Sequence, residues 1–240
     1  MESLLDKYMT KKKHNILTNS FFNRDACNVA QDLLGKVIHH RSNNIWLSAQ
    51  IIETEAYYKA EKGSHASLGF SASRRALFMP PGTIYMYYAR GGDSLNFSCK
   101  GSGNAVLIKS GMPYLGDQNN LQMIEEMQKN NPVKNSGKMR EPKRLCSGQT
   151  LLCKSLNLKV PDWNQKTLQK DKLFIEDVGQ VPSKMVIAKR LGIPPGRDDN
   201  LFYRFIDFDN IIYCTKNPLT ERKNKEGKDY MIIRYPTSRV

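Results

Sequence analysis

Two β-rich runs joined by a short polar segment most constrain how this chain can fold. The first is Lys36–His39 and the second is Trp46–Tyr57, and Arg41-Ser-Asn-Asn44 lies between them. Turn-forming residues between two runs rich in β-branched and aromatic side chains are typical of an antiparallel hairpin. We therefore predict a hairpin near the start of the fold, with a long second strand.

The segments around this hairpin predict a mixture of helices and further strands. Apolar residues recur at helical spacing over 26–34, and Gly35 follows where a helix C-terminal cap belongs. Helices are also predicted within 121–127 and 151–156, a loop over 59–75, and a loop over 130–143 whose closure on a ligand the sequence leaves open. Further strands are predicted at 83–88, 94–98, 105–109, 203–207, 211–214 and 230–235.

This order of elements predicts an α+β fold. We expect a single mixed domain with a curved, largely antiparallel sheet, a protruding β-hairpin and surrounding helices. The polar segment 1–18 is predicted to be a flexible basic N-terminus, and 19–240 to form the domain.

The charge balance favours a polyanionic partner. The 37 Lys and Arg residues exceed the 23 Asp and Glu residues, which gives a net charge of +14. Each phosphate that binds Lys or Arg releases condensed counterions, so such a surface attracts nucleic acid. A basic surface with no nucleic-acid role is the alternative, and charge alone does not separate the two.

The sequence also indicates the cellular compartment in which the protein is expected. No run approaches the roughly 20 apolar residues that a membrane span needs, and the N-terminus has no secretory pattern. The five cysteines form no CxxC pair, so free thiols in a reducing compartment are expected, with no metal site. We expect a cytoplasmic, nucleoid-associated location in a bacterium, or a nuclear one in a eukaryote.

The strand segment Ile51–Tyr57 carries the first candidate site. Because side chains alternate along a strand, Glu53, Glu55 and Tyr57 share one face. A carboxylate beside an aromatic ring is able to take a proton from water. The same pattern is also typical of a solvent-facing strand, and the strand alone leaves both interpretations open.

Three other places carry candidate residues. Tyr85 and Tyr87 follow a Pro-Pro-Gly turn and face the same way, which suits either ordinary packing or stacking on an unstacked base. His65 lies in a polar loop, where it is either solvated or a donor to a ligand. Ser147-Gly148 precedes a predicted helix and gives a weak phosphate-binding signal.

Taken in chain order, these segments resemble the alkyladenine (3-methyladenine) DNA glycosylases of the mammalian type over about residues 19–214. The matching motifs are Leu33-Leu-Gly-Lys36, Ile52-Glu-Thr-Glu-Ala-Tyr57, Ser64-His-Ala66, Phe78-Met-Pro-Pro-Gly-Thr-Ile-Tyr-Met-Tyr87, Asn96, Ala105-Val-Leu-Ile108 and Leu145-Cys-Ser-Gly148. The Glu-Thr-Glu-Ala-Tyr motif followed by Pro-Gly-x-x-Tyr-x-Tyr is the specific part of this combination.

The resemblance implies a role for each matching residue. Glu55 matches the general base that activates water, and Lys109 stands where the family usually has an arginine that helps to hold this water. The main-chain carbonyl of Leu191 matches a second contact to the water. Four residues match the pocket for the flipped base, in which the asparagine crowds the exocyclic group of guanine: Tyr57, His65, Tyr87 and Asn96.

The chain departs from the family pattern in the hairpin that is expected to fill the gap left by the flipped nucleotide. The hairpin after Tyr87 is one residue shorter, so the side chain that fills the gap left by the flipped nucleotide falls at Arg90, or at Tyr88 if the hairpin shifts. A wedge is usually apolar or aromatic because it replaces base stacking. Ser147 and Gly148 match residues that contact the DNA backbone, but Gln149 replaces the proline that usually follows them in the family.

The resemblance therefore implies a monofunctional enzyme that hydrolyses the bond between an alkylated or deaminated purine and its sugar after base flipping, and leaves an abasic site. The expected substrate is double-stranded DNA, the protein is expected to be a monomer, and no cofactor or membrane is expected. Two alternatives are a nucleic-acid-binding relative with weakened catalysis and a formyltransferase-type enzyme, which does not explain the order of the motifs.

Overall fold

The computed structural model describes residues 15–89, 91–116 and 121–234. Helices within these ranges are α1 (Asn19–Phe22), α2 (Ala26–Asp32), α3 (Leu121–Asn130), α4 (Gln149–Ser155) and α5 (Val160–Trp163). Strands are β1 (Val37–Ser42), β2 (Ile45–Tyr57), β3 (Ile84–Ala89), β4 (Gly92–Ser98), β5 (Ala105–Pro113), β6 (Leu173–Glu176), β7 (Lys184–Ala188), β8 (Arg204–Asp207) and β9 (Tyr230–Arg234). Short 3-10 helices lie at His65–Leu68, Ala72–Phe78, Pro142–Arg144 and Ile211–Tyr213.

The described strands form one nine-stranded sheet in the order β3-β4-β5-β2-β8-β7-β9, and β1 pairs with both β2 and β6. The paired strands are antiparallel. Together with the surrounding helices, this sheet confirms the predicted α+β class. The β3–β4 hairpin forms one end of the sheet.

The β1–β2 hairpin forms as predicted, and its turn has a clear local cause. Asn43 and Asn44 have φ angles of 50° and 61°. Asparagine tolerates this left-handed conformation better than other residues with a side chain, and two such residues in succession match the twist of the flanking strands. The turn thereby sets the register in which Arg41 faces Trp46.

Helix α2 covers one face of β2. Asp25 caps its N-terminus, and the Asp25 side chain accepts hydrogen bonds from the Cys27 and Asn28 N–H groups. The Thr54 hydroxyl donates to the Ala30 carbonyl at 2.7 Å, which places the Thr54 face of β2 against this helix. The face that carries Glu53, Glu55 and Tyr57 is therefore turned to the opposite side of the sheet.

Gly35 closes the connection from α2 into β1, as its predicted capping role requires. Its φ angle is +83°, and a Cβ atom at this position would overlap the Gln180 carbonyl oxygen. Both the left-handed backbone and the close approach exclude a larger residue.

One predicted strand is wrong. Residues 211–214 do not form a strand: Ile211–Tyr213 form a 3-10 helix, which leaves Ile211 and Cys214 buried and Ile212 exposed. Asp207 accepts hydrogen bonds from the Asp209 N–H and the Asn210 side chain, and thereby turns the chain out of β8. The strands β6 and β7 were not predicted; all of β6 is buried, so it shows no alternation.

At the N-terminal side, the described chain is attached to the sheet from residue 16 onward. Ile16 forms a bridge to Glu176, and the Leu17 N–H donates to the Ile175 carbonyl at 2.8 Å. The boundary at residue 19 stays a prediction, and 1–14 lie outside the described residues. Among the helices that are described, none is both long and apolar enough to cross a membrane.

Candidate active site

A cavity of about 660 Å³ opens on the face of β2 opposite helix α2. Its wall brings together eight of the eleven residues to which the resemblance assigns a role, from seven separate segments: Tyr57, His65, Tyr87, Asn96, Lys109, Ser147, Gly148 and Leu191. A cavity of this size, with aromatic walls and a few converging polar groups, is suited to a flat organic ligand.

Glu55 lies directly behind this wall and is fully buried. Three groups that line the cavity donate to its carboxylate. The Tyr57 hydroxyl lies 2.7 Å from Oε2, the Lys109 ammonium 3.4 Å from the carboxylate, and the Leu191 main-chain N–H 3.1 Å from Oε1. A solvent-facing position for Glu55 is therefore excluded.

These contacts hold the carboxylate in its charged form. Burial alone would raise the pKa of Glu55, but Lys109, the Tyr57 hydroxyl, Arg204 and the Leu191 N–H together lower it below its ordinary value of 4.5. Conversely, burial and the neighbouring Glu55 raise the pKa of Tyr57, so Tyr57 remains a hydrogen-bond donor at neutral pH. Glu55 is thus an ionised, buried carboxylate at pH 7.

A carboxylate offers about four acceptor positions. Tyr57, Lys109 and Leu191 occupy three of them, which leaves one position for a further donor. The Leu191 N–H donates to Glu55 itself, a contact that the sequence did not predict, and the implied contact from the Leu191 carbonyl to water stays a prediction.

A β-bulge explains how Lys109 reaches Glu55. Along the β2–β5 pair, Glu53 faces Ser110 and Thr54 faces Ile108, so Lys109 is the extra residue on β5. A bulge of this kind turns two successive side chains toward the same face. Lys109 therefore contacts Glu55 while its neighbour Ser110 contacts Glu53.

The aromatic side of the cavity is built from β3 and the first 3-10 helix. The rings of Tyr85 and Tyr87 stack with centroids 5.3 Å apart, and His65 packs edge-on against Tyr87 at 4.5 Å. His65 Nδ1 also lies 3.0 Å from the Tyr85 hydroxyl. Burial of the ring and the nearby Arg74 lower the pKa of His65, so its imidazole is neutral at pH 7.

Asn96 forms part of the cavity wall beside this aromatic group. It faces Tyr85 across the β3–β4 pair, and its Nδ2 atom donates to the Tyr85 carbonyl at 3.0 Å. This hydrogen bond fixes the buried amide against the strand, so the position of the side chain in the cavity is well defined.

The loop before α4 contributes Ser147 and Gly148. The Ser147 hydroxyl is buried without a hydrogen-bond partner among the described residues. The Gly148 N–H donates to the Ser110 hydroxyl at 3.0 Å. This bond occupies the N–H that a phosphate contact at Gly148 would need, and the predicted backbone contact at these two residues stays a prediction.

One of the two candidate wedge residues, Tyr88, lies near the end of β3. Tyr88 is 71% exposed, pairs with Asp93 across the hairpin, and does not line the cavity. Arg90 lies outside the described residues. The choice between them as the wedge therefore stays a prediction.

Glu53, which shares the β2 face with Glu55, has a different set of partners. Its carboxylate accepts from Arg204 Nε at 2.6 Å, from the Thr215 N–H at 2.9 Å and hydroxyl at 3.0 Å, and from the Ser110 hydroxyl. Sequence reasoning missed these partners. The available signal was Arg204 itself, a charged residue within an apolar strand segment, which requires a buried counter-charge.

Within the described part of the chain, no group of three or more His, Cys, Asp or Glu side chains is arranged to hold a metal ion. The cysteines in these ranges are free thiols.

Comparison with known proteins agrees with this geometry. Residues 20–211 match the family described as methylpurine-DNA glycosylase. A protein from Pseudomonas savastanoi pv. phaseolicola is 55% identical over 217 residues, covering 90% of this chain and 96% of the relative. Proteins from Pseudomonas aeruginosa (56% identity; 90% of each chain) and Clostridium perfringens (34%; 83% of this chain and 99% of the relative) also match. All three are provisionally named 3-methyladenine DNA glycosylases.

Proposed function

Since this chain belongs to the methylpurine-DNA glycosylase family and is a DNA glycosylase, we propose that it releases alkylated and deaminated purines from double-stranded DNA by simple hydrolysis. The proposed substrates are 3-methyladenine, hypoxanthine and ethenoadenine, each extruded from the duplex into the cavity. The observation that carries the proposal is the position of an ionised, buried carboxylate directly behind an aromatic-walled cavity.

In the proposed reaction, Glu55 acts as the general base. Its remaining acceptor position takes a proton from water as the water oxygen bonds to C1′ of the sugar, and the electrons of the C1′–N bond leave with the base. An alkylated cationic base departs as a neutral molecule. Hypoxanthine is uncharged, so its release also needs a proton on the leaving base.

The other cavity residues hold the base and exclude water. Tyr57, Tyr87 and His65 offer aromatic faces and edges on which a purine stacks, and stacking tolerates several bases because each has a π face. Lys109 holds Glu55 ionised but, as a lysine, lacks the bidentate geometry of the arginine usual in the family.

The test uses a duplex that contains one hypoxanthine or ethenoadenine. We expect strand breaks after treatment with hot alkali, which cleaves at abasic sites, and none without alkali. An undamaged duplex of the same sequence is the control. Breaks without alkali would contradict simple hydrolysis, and no release of any alkylated or deaminated purine would favour a protein that only binds DNA.

The environment of Glu55 predicts how the rate of base release depends on pH. Burial raises the pKa of Glu55, but Lys109 from β5, Tyr57 on β2, Arg204 from β8 and the Leu191 N–H lower it below 4.5, so more than half of the base is still charged when the pH has fallen to this value. Release of 3-methyladenine, whose base is already cationic, should therefore keep more than half of its pH 7 rate at this pH, after subtraction of spontaneous release.

The matched variant for this experiment is Lys109→Gln. Removal of the ammonium raises the pKa of Glu55, so the acid limb of the rate profile should move to higher pH. An unchanged acid limb in Lys109→Gln would contradict the assignment of this limb to Glu55.

The position of Asn96 in the cavity wall leads to a prediction about which purines the protein releases. Guanine differs from hypoxanthine only by its exocyclic amino group, which the Asn96 side chain is proposed to exclude. Asn96→Ala should raise the release of mispaired guanine relative to hypoxanthine by about 10-fold, since the lost side chain leaves room for this group. The ratio of single-turnover rates on the two duplexes measures the effect, and an unchanged ratio would remove Asn96 from this role.

A further inference from the structure

Arg190 is a buried cation immediately behind the candidate active site. Its side chain is 1% exposed and forms an ion pair with Glu61 at 2.5 Å. Nη1 also donates to the Ala56 carbonyl at 2.9 Å, while Nε and Nη2 have no hydrogen-bond partner among the described residues. A buried guanidinium with two unpartnered nitrogens is costly, so its position calls for a reason beyond the single ion pair.

The guanidinium lies against two aromatic rings. Its central carbon is 4.5 Å from the centroid of Tyr57 and 5.5 Å from that of Tyr203. Tyr57 lines the cavity whereas Arg190 does not, so the arginine supports the ring from outside the cavity. A planar cation over an aromatic face is attracted by the ring quadrupole and restricts its tilt.

Arg190 is also joined to Glu55 through the main chain. The next residue, Leu191, donates its N–H to Glu55 Oε1 at 3.1 Å. The bond from Arg190 to the Ala56 carbonyl fastens this segment to β2 between Glu55 and Tyr57. One side chain therefore anchors both the ring that donates to Glu55 Oε2 and the peptide that donates to Oε1.

We propose that Arg190 is a positioning residue for base release: it fixes the Tyr57 ring and the Leu191 N–H in the arrangement that orients the Glu55 carboxylate. This inference rests on the proposed function. Arg190 touches neither the base nor the water, and it acts through Tyr57 and Leu191. Its importance follows from the sensitivity of general-base catalysis to small displacements, since a shift of roughly 1 Å is able to cost about 100-fold in rate.

The principal test is Arg190→Lys. Lysine retains a positive charge for Glu61 but lacks the planar group that packs on Tyr57 and bonds to Ala56. We expect a folded protein with thermal stability close to that of the parent and an unchanged affinity for undamaged duplex. The single-turnover rate of hypoxanthine release should fall by about 10-fold to 100-fold.

Lys189→Gln is the matched control. Lys189 is the preceding residue, its side chain is 40% exposed, and it pairs with Asp229 rather than with the site. This variant should release hypoxanthine at the parental rate. Arg190→Lys with a parental rate and parental stability would overturn the inference, because the arginine would then serve only as a buried counter-charge.

A second variant covers the case in which the lysine disturbs folding. Arg190→Met combined with Glu61→Gln removes both charges at similar volume, so neither partner is left as an unpaired charge. The same loss of rate is expected, and a parental rate in this folded double variant would also overturn the inference. A parent protein that releases no base would instead refute the proposed function, on which the role of Arg190 depends.

Discussion

Glu55→Gln should lower the single-turnover rate of hypoxanthine release by about 100-fold to 10,000-fold, the range expected when a general base is removed. Glutamine preserves the shape of the side chain but cannot accept a proton from water. The amide oxygen of the glutamine can still accept one hydrogen bond of this pair, either from the Tyr57 hydroxyl or from the Leu191 N–H. We therefore expect the fold and the affinity for undamaged duplex to be retained.

The measurement is alkali-revealed strand cleavage under protein excess, with thermal unfolding recorded for each variant. Glu125→Gln makes the same chemical change at an exposed position of α3 and should behave as the parent does. Release at the parental rate by Glu55→Gln would remove Glu55 from the role of base. A loss of rate accompanied by unfolding would instead show that the buried carboxylate is required for the fold.

The second large effect is expected from Arg204→Met. Arg204 and Glu53 form a buried ion pair, with 2% and 0% of their side chains exposed. Removal of one partner from such a pair leaves an uncompensated charge and costs about 3–5 kcal/mol. The free energy of unfolding, measured in urea, should fall by this amount.

A double variant separates the loss of the pair from the stranded charge. Glu53→Gln combined with Arg204→Met leaves no unpaired charge, so it should be more stable than Arg204→Met alone. Arg222→Met, at an exposed position, is the control and should change stability little. A loss below about 1 kcal/mol in Arg204→Met would contradict a stabilising pair at this site.

Loss of the Arg204–Glu53 ion pair should also disturb the wall of the cavity. Glu53 binds Thr215 directly and, through the Ser110 hydroxyl, holds the Gly148 N–H. Thr215 and Gly148 both line the cavity. The two neighbouring glutamates on β2 are therefore distinct: Glu55 is the proposed general base behind the cavity wall, and Glu53 fastens two segments of that wall to the sheet.

Local sequence patterns were sufficient for the elements with a strong period or a specific turn. The β1–β2 hairpin, helix α2 and the β3–β4 strands all formed where they were predicted. The run at 211–214 misled because its apolar residues suit a strand equally well. In the folded chain, Asp207 turns the backbone out of β8 just before this run, and Ile211 and Cys214 are buried while Ile212 is exposed; the propensity of the run shows neither feature.

In the candidate site, too, some features could be predicted from the sequence and others could not. Strand alternation placed Glu53, Glu55 and Tyr57 on one face, and the order of the motifs selected Glu55. The bulge at Lys109, which turns two successive side chains to this face, depends on how β5 pairs with β2. The hydrogen bond from the Leu191 N–H to Glu55 also became visible only in the folded chain.

By itself, therefore, the sequence determined the α+β class, the face of β2 on which the carboxylates lie, and the family, because these depend on local periods and on the order of motifs. Only the tertiary structure decided that Glu53 pairs with Arg204, 151 residues away, and that Arg190 lies behind Tyr57. A buried charge must find a partner in a medium of low dielectric constant. Which partner it finds depends on the strands that folding brings together.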